Sequence, residues 1–127
     1  MISLPHPVRV FLHTPPTDLR KGFDALCGLV TSAFGQDPTS GHLFLFVNRR
    51  RDRIKILYWD RDGLAIWYKR LESGSFQFPA ASTKAASVEV TSTQLSLILS
   101  GIDLRSARQR KRYQRPTPPA ENRPFLS

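Results

Sequence analysis

HLFLFVNRRRDRIKILYWDRDGLAIWYKR, residues 42–70, reads as three consecutive strands joined by two connectors of different character. His42 to Val47 is apolar on both faces, which predicts a central strand covered from two sides. NRRRDR at 48–53 breaks that run with charge, and Ile54 to Trp59 resumes as a strand. Asp60-Arg61-Asp62-Gly63 has hairpin-turn composition, with Gly63 suited to a positive φ. Leu64 to Arg70 then returns antiparallel. Ser73-Gly74 turns once more, and Phe76 to Phe78 suggests a short further strand. Residues 42–78 therefore predict an antiparallel meander of three or four strands.

Upstream, Val8 to His13 alternates and contains β-branched residues, as a first strand should. Pro15 and Pro16 stop it. Thr17 is a good N-cap, with Asp18 favourably placed for a first helical turn. Leu19, Phe23, Leu26, Cys27, Val30, Ala33 and Phe34 follow at helical spacing, so a long helix is expected over 18–34. Gly35 stands where such a helix would end, and Gly22 costs about 1 kcal/mol inside it. Residues 35–41 read as a loop.

Downstream, 79–87 reads as a surface connector and Val88 to Val90 as a short strand. Thr91-x-x-Gln94 is a capping-box pattern ahead of Leu95, Ile98 and Leu99, predicting a helix over 92–100 that ends at Gly101. From Arg105 the chain turns basic and proline-rich, with nothing to build a core. The expected fold class is α+β: an antiparallel β-meander packed against one long N-terminal helix, with a short C-terminal helix. Residues 1–104 form a single domain in this reading, and 105–127 a flexible basic tail.

The 127 residues suffice for one core. Lys and Arg number 19 against 10 Asp and Glu, a formal charge of +9. The excess is concentrated at 48–70, with eight basic and three acidic residues, and at 105–127, with seven and one. Clustered positive charge concentrates polyanions, nucleic acid foremost. Cys27 is the one cysteine, so no disulfide forms within the chain. It lies in the apolar stripe of the expected helix, as a buried thiol. No apolar run reaches the length of a membrane span, and a cytoplasmic, nucleoid-associated protein is expected.

Arg49, Arg50, Arg51 and Arg53 crowd one connector between two strands. That crowding raises the energy of the free protein, and a phosphate backbone would relieve it. Lys55, Lys69 and Arg70 extend the track. If one face of each strand coincides, Trp59, Trp67, Lys55 and Lys69 form a cationic-aromatic patch able to stack bases. The tail adds Arg108, Arg110, Lys111 and Arg112. A metal nuclease needs two or three converging carboxylates; Asp60 and Asp62, joined by Glu72, could supply them, but Asp in a hairpin turn is ordinary local chemistry. His6, His13 and His42 lack ligand spacing. Neither a catalytic group nor a cofactor or metal site is expected.

Four stretches carry a family likeness: VRVFLHTPPTDLRKGFDAL at 8–26, GQDPTSGHLFLFVNRRRDRIKILYWDRDGLAIWYKRLESGSFQFP at 35–79, TSTQLSLILSGIDL at 91–104, and the basic RKRY. The chain resembles the TnpB, or Orf2-like, accessory proteins of the insertion-sequence family numbered sixty-six. The resemblance implies a protein encoded beside a separate transposase and needed for efficient movement of the element. It implies as partners DNA, the transposase and the element's other proteins, with no membrane. It also raises a role for TD-x-RKGFD, where Asp18, Arg20, Lys21 and Asp24 could form a polar docking edge for transposase or DNA. A protein-interaction adaptor that docks on the transposase without touching DNA is the alternative.

Overall fold

Residues 8–78 and 85–100 are described by a computed structural model. In chain order they form β1 (Val10–His13), α1 (Phe23–Leu29), β2 (Leu43–Val47), β3 (Arg53–Asp60), β4 (Gly63–Arg70), β5 (Ser87–Val90) and α2 (Ser92–Ser100). The five strands make one sheet in the order β4-β3-β2-β1-β5.

The sheet is mixed, which corrects the expected antiparallel meander. β2, β3 and β4 do form a meander, but β1 pairs parallel with β2 and antiparallel with β5. The reason is connectivity: the segment from β1 to β2 contains α1, and a crossover of that length returns the chain to the same end of the sheet.

β2 is the middle strand, and all five of its residues are buried. Alternation splits them between two cores. Leu43, Leu45 and Val47 join Val10, Leu12, Ile54 and Ile56 under Phe76 and the α2 residues Leu95 and Ile98. Phe44 and Phe46 join Phe11 and Leu57 under Leu19, Leu26 and Val30 on the α1 side. Truncating fully buried Phe44 to alanine would cost about 3–5 kcal/mol.

The long N-terminal helix is also corrected. α1 has seven residues and continues through a five-residue π-helical turn at Val30–Phe34. Gly22, with extended backbone, precedes α1, and Gly35 closes the π turn at φ 62°. Residues 17–22 are pinned outside the helix. The Thr17 amide donates to the Val47 carbonyl at 2.8 Å, and Lys21 N–H to Asp18 C=O at 3.1 Å. Leu19 still reaches the α1-side core, but from a turn. Its helical spacing from Phe23 therefore reported burial rather than helix.

Phe76 to Phe78 is not a strand. Phe76 is a buried plug whose amide donates to the Arg51 carbonyl. The capping box forms as expected. Gln94 N–H donates to Thr91 Oγ1 at 3.0 Å, and Thr91 N–H to Gln94 Oε1 at 2.8 Å. The expected tail at 105–127 lies outside the described residues.

Candidate nucleic-acid interface

The connector between β2 and β3 is built around Asn48. Its Oδ1 accepts from the Asp52 and Arg53 amides at 3.1 and 3.0 Å, and its Nδ2 donates to Asp52 Oδ1 at 2.7 Å. The Asn48 carbonyl accepts from Arg51 N–H at 3.1 Å. The Asp52 carbonyl accepts from Leu71 N–H at 2.7 Å, and the Arg51 carbonyl from Phe76 N–H at 2.6 Å. Arg51 itself takes φ 59°, a left-handed conformation uncommon for arginine. The backbone of Asn48, Arg51, Asp52 and Arg53 is thus held by internal hydrogen bonds, and Arg49, Arg50, Arg51 and Arg53 are exposed.

Three of those arginines converge. Arg49, Arg50 and Arg53 line a groove of about 570 Å³ whose opposite wall is the Pro16–Arg20 segment, with Asn48 and Tyr68 completing it. The Thr17–Val47 hydrogen bond ties the two walls together. Arg51 departs from the group: its guanidinium lies 5.9 Å from the centroid of the Phe78 ring. Among the described residues, Arg49, Arg50 and Arg53 have no carboxylate within ion-pair distance.

One carboxylate does line the groove, and it is already engaged. Arg20 grips Asp18 through Nε at 3.0 Å and Nη2 at 2.8 Å. Those hydrogen bonds, with the Arg20 amide, hold the Asp18 carboxyl well below the usual carboxylate range. The expected docking edge is therefore divided. Asp18 and Arg20 belong to the groove wall, Lys21 contributes its carbonyl to Lys55, and Asp24 sits exposed in the first turn of α1.

The expected cationic-aromatic patch does not form. β3 and β4 pair Ile56 with Trp67 and Trp59 with Leu64, so the two tryptophans point to opposite faces. Trp67 packs against the α2-side core. Lys69 follows it there, and its Nζ donates to the Leu99 carbonyl at 3.4 Å, near the C-terminal end of α2 where a cation is favoured. Lys55 is on the other face. Its Nζ donates to the Lys21 carbonyl at 3.0 Å and lies 5.0 Å from the Tyr68 ring centroid. Arg70 pairs with Glu72 at 2.8 Å. Arg108, Arg110, Lys111 and Arg112 lie outside the described residues.

The hairpin turn also differs in detail: Arg61, at φ 57°, adopts the positive φ expected of Gly63. Asp60 and Asp62 flank Arg61 there, while Glu72 lies beyond the far end of β4. Eight residues of strand span about 26 Å, so the acidic triad does not assemble. Among the described residues no cluster of three His, Cys, Asp or Glu is placed to hold a metal. No helix among them is long and apolar enough to cross a membrane. Burial raises the Cys27 thiol pKa, with Asp24 adding to the effect.

Tyr68 and Asn48 were not among the expected site residues. Tyr68 is the exposed aromatic of the groove, at 48%. Its position opposite Lys55 follows from the two-residue loop at Arg61-Asp62, which fixes the register. For Asn48 the signal was Asp52 four residues on, within reach of its side-chain amide.

Residues 8–109 match the family described as IS66 Orf2 like protein. The chain is 37% identical over 117 residues to the uncharacterized protein y4jC of Sinorhizobium fredii, covering 92% of this chain and 97% of that one. It is 37% identical over 98 residues to y4hO of the same organism, also described as uncharacterized, covering 77% and 84%. No solved structure matches. The chain belongs to the IS66 Orf2-like family, and with it to the accessory proteins of insertion-sequence transposition.

Proposed function

We propose that this protein assists transposition by binding nucleic acid, without catalysis, in the groove between the Pro16–Arg20 and Asn48–Arg53 segments. The observation that carries this reading is the convergence of Arg49, Arg50 and Arg53 on one recess, held by an internally bonded loop and without carboxylate partners among the described residues. Like charges gathered on a rigid frame are costly in the free protein, and bound phosphates remove that cost while releasing counterions. The Asp18–Arg20 pair completes the wall without cancelling the loop's charge.

The test is binding of a labelled oligonucleotide by the full chain and by the triple variant Arg49→Ala/Arg50→Ala/Arg53→Ala. Affinity should fall at least tenfold while thermal unfolding changes by only a few degrees. Equal affinity in the two proteins would remove the groove from the function.

A transposase-docking role has its own support in Phe23, a large apolar side chain 47% exposed beside Asp24 at the start of α1. Co-purification with the transposase after nuclease treatment, lost in Phe23→Ala, is the result that reading expects. Retention by the variant would exclude Phe23 from it.

A further inference from the structure

We infer that the groove takes single-stranded nucleic acid, with Tyr68 as its base-stacking platform. The inference rests on the nucleic-acid reading above and narrows it to one class of ligand.

Phosphate binding would need only the arginines. Tyr68 adds a second kind of chemistry: an exposed aromatic lining the same recess as Arg49, Arg50 and Arg53. Its ring is held in place. Tyr68 is the direct cross-strand partner of Lys55, whose ammonium lies 5.0 Å from the ring centroid. That ammonium is tethered to the Lys21 carbonyl. A chain of contacts therefore runs from the segment preceding α1, through Lys55, to the ring, and restricts its orientation before any ligand arrives.

In a duplex the base faces are covered by neighbouring bases, and a side-on surface meets only sugars and phosphates. An exposed tyrosine flanked by arginines on a groove wall reaches a base face only where the strand is unpaired. The arginines would then hold successive phosphates while the ring stacks on a base between them. Neither contact reads sequence, so little sequence preference is expected.

The experiment measures binding of the full chain to a short oligothymidylate and to a mixed-sequence duplex of equal length, at one salt concentration. The wild type should prefer the single strand. Tyr68→Ala should lose about tenfold in single-strand affinity, the usual scale of one base–aromatic stack, and less than twofold for the duplex. Tyr68→Phe should keep the wild-type preference, and Tyr68→Leu should not. Duplex preference in the wild type, or equal losses on both ligands in Tyr68→Ala, overturns the inference while leaving phosphate binding intact. Failure of the wild type to bind either ligand overturns the nucleic-acid reading, and this inference with it.

Discussion

Arg53 and Arg70 stand directly opposite each other across β3 and β4, and among the described residues only Arg70 of the two has a carboxylate partner, Glu72 at 2.8 Å. Like charges in that relation destabilise a sheet. Arg53→Gln should therefore leave the free protein as stable as the wild type or slightly more so, while weakening nucleic-acid binding. Paired urea unfolding and binding titrations check this. A clear loss of stability would mean that Arg53 makes favourable contacts in the free state.

Asn48 is the residue on which the loop's shape depends, with three side-chain hydrogen bonds to Asp52 and Arg53. Asn48→Ala should cost about 1–3 kcal/mol through the donors and acceptors it strands. It should also weaken binding although no charge is removed. Affinity unchanged in a measurably destabilised variant would show that the arginines need no fixed frame.

Much of the sheet was legible in residues 42–70, because a strand apolar on both faces has to be covered from both sides and β2 is. The tryptophan patch failed for a countable reason. A two-residue loop at Arg61-Asp62 pairs Asp60 with Gly63, so odd-numbered residues of β3 face even-numbered residues of β4. Trp59 and Trp67, both odd, then fall on opposite faces. Gly22, read as a cost inside a longer helix, instead precedes α1, and Leu19 continues the apolar spacing from a turn held by the Thr17–Val47 and Lys21–Asp18 hydrogen bonds. The groove could not be read locally, since its walls are about thirty residues apart in the chain.

His13 is buried against Phe34 and Phe46. Desolvation lowers its pKa from 6.5, and a hydrogen bond with the Ala86 backbone offsets part of that. The unfolded chain therefore takes up the proton first as pH falls. Stability is complete above about pH 7 and declines as pH drops through 6.5. Asp18, Asp37 and Glu89 have lowered values, so their contributions are lost only in the acid range, as pH falls below about 4. Urea midpoints at pH 7.5 and 5.5 should differ in the wild type and converge in His13→Leu. An identical pH response in the two proteins would contradict this account.

The Thr91–Gln94 capping box fixes the start of α2, whose Leu95 and Ile98 close one core. Thr91→Ala should cost about 1 kcal/mol of stability in chemical denaturation. It should leave oligonucleotide affinity unchanged, because α2 and the Arg49–Arg53 loop lie at separate sites. A matching loss of affinity would imply coupling between them.

The slope of log affinity against log salt concentration weighs the groove against every other basic segment of the chain. Comparing the wild type with Arg49→Ala/Arg50→Ala/Arg53→Ala on a single-stranded oligonucleotide should show the slope's magnitude reduced by about two, at roughly 0.7 for each lost phosphate contact. Superimposable slopes would mean that those guanidinium groups never meet the ligand's backbone.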